Sequence, residues 1–141
     1  MTTTTETERR AGRAAAALLT GVAGFQLAMA AGAPWGAVAY GGGHPGVLPD
    51  ELRVTSAVAV PVYATLAAVA AGVGGPRLRR AVLRGTTALL VVGCAVNLAS
   101  PSLPERLIWV PVSAAAAVLT WRAAPARTAA GPVGRTASRT A

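Results

Sequence analysis

With 141 residues the chain makes one domain, and its 13% charged residues against 53% hydrophobic ones fall well below the roughly 25% charge of ordinary soluble domains. Its thirteen basic residues are all arginine and set a net charge of +8, but they border apolar stretches instead of gathering on one folded face. That placement argues against nucleic acid and for anionic lipid headgroups as the partner, and a single cysteine, Cys94, rules out an intrachain disulfide or a thiol pair.

Residues 1–8 read MTTTTETE, polar and low in complexity, so residues 1–12 are expected to form a disordered tail. Four apolar segments follow. The first predicts a helix over about 13–33, close to the roughly 20 residues needed to cross the hydrocarbon core. A cleaved signal peptide ending near Ala28-Met29-Ala30 competes for this segment, but the apolar run exceeds the roughly 7–15 residues of a signal core. Gly21, Gly24, Ala28 and Gly32 mark a small-residue stripe on this helix, suited to close helix packing.

The second helix is predicted over about 54–75, with Ala57, Pro61, Ala64 and Ala68 as its packing stripe. The third covers about 81–99 and the fourth about 106–122. Their uncharged cores are short, so flanking residues extend them, and Arg84 snorkels to the headgroups. Pro61 and Pro111 each remove a backbone donor and predict kinks. Thr20, Gln26, Tyr63, Thr65, Asn97 and Ser113 are expected to form interhelical hydrogen bonds. No ionisable residue sits in the middle of a segment, which counts against proton- or ion-coupled transport. Residues 123–141 are expected to form a second, basic, disordered tail.

The arginines orient the chain. Eleven of the thirteen lie before segment one, between segments two and three, or after segment four; the other gaps hold only Arg53 and Arg106. The positive-inside rule places both termini in the cytoplasm. The expected architecture is therefore an all-α, four-transmembrane-helix bundle in the plasma membrane.

The loops assigned to the outer face carry the distinctive residues. The first contains Trp35, Tyr40, a glycine run and His44; the second contains Ser100, Ser102, Glu105 and Arg106. The strings GAPWG, AYGGGHPGVLP, LRVTSAV and NLASPSLPERLIWVPV resemble a family of small four-helix integral membrane proteins of Gram-positive bacteria. The resemblance covers roughly residues 20–115, with Pro101 and Pro104 departing from the pattern. It implies the architecture and no reaction.

Trp35, His44, Arg53, Asn97, Glu105 and Arg106 are accordingly the candidates for binding a ligand or for stapling the loops. Arg53 and Arg106 near helix N-termini oppose the macrodipole, so pairing of Arg53 with Glu105, or of Arg106 with Asp50 or Glu51, is expected to hold them. His44 has no second histidine or cysteine beside it in a metal-binding pattern, and the glycine run lacks the context of a phosphate loop. No metal, cofactor or catalytic residue is expected. The leading expectation is a non-enzymatic structural, accessory or binding component, with membrane lipids, a second copy or another protein as partner. The alternative is a small transporter or channel working as an oligomer.

Overall fold

The computed structural model describes residues 2–126, and these are built from helices α1 (Thr2–Ala30), α2 (Asp50–Ala71), α3 (Pro76–Leu98) and α4 (Leu103–Ala123). All four helices are long and apolar enough to cross a membrane. They fall on the four expected apolar segments; the ends at Leu98 and Ala123 lie within one residue of expectation, and the other boundaries move.

Helix α1 reaches back to Thr2, where a disordered tail was expected. Glu6 pairs with Arg9 at 2.6 Å and with Arg10 at 3.0 Å, one turn on, and such spacings favour helix. The helix ends at Ala30, not near residue 33. Gly32, at φ +96°, turns the chain, while its N–H bonds to Met29 O and the N–H of Ala33 to Ala28 O. That left-handed cap is the reason for a glycine there.

Helix α2 starts early, at Asp50, because Asp50 and Glu51 complement the positive end of its dipole. It stops at Ala71, before Gly72. Helix α3 begins with Pro76 at its first turn, where a missing N–H costs nothing. Arg77, Arg79 and Arg80, expected before the helix, therefore ride on it together with Arg84. Helix α4 is capped by Ser102, whose hydroxyl accepts from the N–H of Glu105. The expected basic tail lies outside the described residues from Arg127 onward; Ala123 and Ala124, at its expected start, are buried.

Helix α1 packs against α2 and α4, and α3 packs against α4, while α2 and α3 barely touch. Two separate clusters are buried. One, at the α2–α3 turn, joins Ala11, Ala15, Leu19, Ala67, Ala70, Leu83 and Ala123. The other, at the opposite end, joins Met29, Ala39 and Leu48 beneath Phe25 and Leu52.

The interior is made of small residues, and large ones face outward. Val58, Leu89, Val92 and Leu107 are each at least 60% exposed. In water that arrangement would leave a large apolar surface uncovered; hydrocarbon suits it, because lipid association depends on close packing of small residues. The expected stripes are only partly on the packed faces: Ala64 and Ala68 line the groove between α1 and α2, while other stripe residues point away. A Cβ added at Gly21 or Gly24 would meet nothing within 4 Å, and Ala57 and Pro61 are exposed. Contact is made chiefly by Ala11, Ala15, Leu19 and Ala23 on α1 and by Ser56, Ala67 and Ala70 on α2.

Of the polar residues within the helices, Asn97 donates to Ser113 Oγ across α3 and α4 at 3.3 Å. A second bridge, Thr87 to Thr120 at 2.9 Å, joins the same two helices. Thr65 bonds only to its own helix, at Pro61 O.

Candidate functional site

The loop between α1 and α2 folds back over the helix ends as a cap. Two short turns, Gly36–Val38 and Tyr40–Gly42, carry it across the mouth of the bundle. Ala39 and Leu48 point down onto Met29 and close the second buried cluster. Gly36 is buried, and its N–H donates to Gly46 O at 2.8 Å. A Cβ there would lie 1.9 Å from His44 O, so only glycine lets the two arms of the loop cross.

Glu105 is the hub of the cap. It sits in the first turn of α4 and is only 7% exposed. Both carboxylate oxygens accept from the N–H of Gly41, at 3.2 and 3.0 Å. The Ser100 hydroxyl donates to the same carboxylate. Ser102 adds a second link across the loops, donating from Oγ to Ala37 O at 2.9 Å. The indole N–H of Trp109 donates to Val38 O at 2.6 Å. Contacts from Ser102, Glu105 and Trp109 thus hold the loop backbone at Ala37, Val38 and Gly41, in both of its short turns.

Aromatic rings complete the seal. Phe25 lies between Trp35, stacked at 6.1 Å, and Trp109, edge-on at 4.7 Å. Among the described residues Tyr40 is the single non-glycine residue with positive φ, at +51°. Its hydroxyl meets Ser56 Oγ at 2.9 Å, and Ser56 is fully buried. That hydrogen bond offsets a backbone conformation that disfavours side chains.

The candidate residues divide into two groups. Glu105, Arg53 and Asn97 are spent on structure. The expected pairing of Arg53 with Glu105 does not form. Arg53 Nε instead donates to Ala30 O at 3.1 Å, and its Nη1 reaches Asp50 at 3.2 Å. Arg53 opposes the dipole of its own helix but serves the negative end of α1, which explains its place. The pairing of Arg106 with Asp50 or Glu51 is also missing: among the described residues, Arg106 makes no ion pair, and it is exposed. His44 is exposed too, and Trp35 is 49% exposed despite its stacking. These three present the cap to its surroundings.

Sequence reasoning passed over Ser56, Phe25, Ser102 and Trp109 as anchors. One signal was available: Ser102 and Glu105 have the spacing of a capping box. Here the carboxylate reaches the neighbouring loop instead of returning to its own helix start. Ser56 falls within the LRVTSAV string, but nothing there marks it as an anchor of the loop, and nothing in the residue pattern marks Phe25. Among the described residues no three His, Cys, Asp or Glu side chains gather into a group. No family model, curated protein or solved structure matches the chain.

Proposed function

We propose that the chain is a multi-pass membrane protein without enzymatic activity. Its capped end is a preformed binding surface for another protein or a lipid headgroup. One observation carries this reading. The buried carboxylate of Glu105 is engaged by the N–H of Gly41 and the Ser100 hydroxyl, so it serves to hold the shape of the loop. The cap leaves His44, Arg106 and half of Trp35 uncovered. A rigid face with an imidazole, a guanidinium and an indole has the composition of a recognition surface.

The arginine distribution supports both termini in the cytoplasm of a bacterial cell and the cap outside. The motif resemblance to small membrane proteins of Gram-positive bacteria supports the same reading. Impermeant-maleimide labelling of intact cells tests the topology, in a Cys94→Ser background with single cysteines at Gly43, Pro101 and Arg77. Gly43 and Pro101 react and Arg77 does not; reaction at Arg77 alone inverts the molecule. For the binding role, a photocrosslinking residue at His44 or Arg106 captures a discrete partner in cells. A search at both positions that yields only uncoupled protein removes the reading.

A second reading, a small transporter or channel built from several copies, is favoured by the sparse contact between α2 and α3, which meet only near their connecting turn. Solute flux into liposomes holding the purified chain decides it.

A further inference from the structure

The end of the bundle opposite the cap carries four arginines in the first three turns of α3, and three of them, Arg79, Arg80 and Arg84, are partly buried and not alike. Arg79 Nε donates to Val69 O at 3.2 Å, serving the last turn of α2. Arg80 Nη1 donates to Pro125 O at 2.6 Å, just beyond α4. Both use the affinity of a cation for the carbonyl end of a helix. Arg84 has no such acceptor. Its guanidinium carbon lies over the Trp121 ring, 3.3 Å from the centroid. Nε and Nη1 are buried without a hydrogen-bond partner, which leaves Nη2 as the open nitrogen.

We propose that this α3–α4 corner binds the phosphate of an anionic phospholipid, with Arg84 as the gripping residue and Trp121 as its platform. Stacking on an indole attracts a cation but offers no hydrogen-bond acceptor. A guanidinium so placed still lacks an anion, and a phosphate diester supplies both the charge and an acceptor oxygen for the open Nη2. Arg80, one turn away on the same face, adds to the need. Like charges at that spacing repel, and among the described residues the ion pairs all lie elsewhere, at Glu6 and Asp50.

The surroundings select a lipid over a free phosphate. On α3, Ala88, Val91 and Ala95 continue the Arg84 face and are exposed. On α4, Val118 stands one turn before Trp121 and is 51% exposed. An acyl chain lies along that apolar track once the phosphate is seated at its end. Trp121, 57% exposed, sits where indoles mark the boundary between headgroups and hydrocarbon. The proposal does not depend on what the cap binds.

Native mass spectrometry of the full chain tests it, in detergent doped equally with phosphatidylglycerol and phosphatidylcholine. The wild type retains phosphatidylglycerol at least fivefold over phosphatidylcholine. Arg84→Ala abolishes that preference, Arg84→Lys weakens it, and Arg77→Ala, an exposed arginine at the same end, leaves it intact. Equal retention by wild type and Arg84→Ala overturns the site. Loss of the same size in Arg77→Ala also overturns it, since the attraction is then diffuse. Displacement by millimolar inorganic phosphate overturns the lipid assignment in favour of a soluble anion. Should Arg84→Ala lose its helical circular dichroism, Trp121→Leu decides: an undiminished preference there rejects the platform.

Discussion

Glu105 and Arg106 are neighbours in sequence with opposite roles. The carboxylate is buried and accepts from Gly41 and Ser100; the guanidinium is exposed and makes no ion pair among the described residues. Hydrogen bonds to a charged group contribute about 1.5–3 kcal/mol each. Glu105→Ala is therefore expected to cost the cap about 3 kcal/mol, and amide exchange at Gly41 should accelerate by more than a hundredfold. Arg106→Ala should change stability by less than about 0.5 kcal/mol, as surface substitutions do, while reducing any crosslink captured at the cap. Equal effects of the two substitutions would reject the division into structural and presented residues. Gly36→Ala makes a third case. Its new methyl falls on His44 O, a backbone atom with little room to yield, so a loss of about 1–3 kcal/mol is expected in thermal unfolding.

Glu105 was legible as important, but its partner was not. A sequence displays side-chain charges, so an acid among arginines suggests an ion pair. The actual donor is the N–H of Gly41, which every residue except proline carries and which becomes distinctive only when the loop path presents it. Arg53 misled for the same reason: its acceptor is the carbonyl of Ala30, at the end of another helix.

At the level of the helix, existence was readable and orientation was not. Four long apolar runs in a chain of this size leave little else to form. Their ends shifted because charged and proline residues that interrupt an apolar run also start helices well, as Pro76 and Asp50 do here. The inward face was hidden by a different cause. In a soluble protein polarity separates core from surface, whereas lipid and interior are both apolar, and the α1 stripe had to be guessed from residue size. Gly21→Ala and Gly24→Ala on the outward face should stabilise α1 by up to about 1 kcal/mol each, the usual gain over glycine in a helix. Ala15→Leu, at a fully buried position, should cost about 1–3 kcal/mol by overpacking. Unfolding in mixed micelles measures both, and destabilisation by Gly24→Ala would indicate that a second copy occupies that face.

For the molecule as a whole, apolar side chains outside, small ones inside and arginines at one end describe a body built for a bilayer. The two arginines at the other end are Arg53, which binds a helix terminus, and Arg106, which faces outward. Charge asymmetry of this kind sets how such a chain is threaded, and it was fully present in the sequence. The cap was only half visible. Its aromatic and glycine residues stood out in the sequence, while its seat on Met29 depended on tertiary contacts without a local signature.

The two buried clusters also have a bearing on how the chain comes apart. They occupy opposite ends, and the segment between them is held by narrow helix contacts and polar bridges such as Asn97 to Ser113. Local opening follows the distribution of buried contacts. The four helices should therefore behave as two cooperative units sharing one backbone. Hydrogen exchange in nanodiscs would then give two protection classes, with the capped unit opening first when Glu105 is removed and the terminal unit unchanged. A single class that shifts together would mean that stress at one face is transmitted along the full length of the bundle, so that an event at the cap is felt at Arg84.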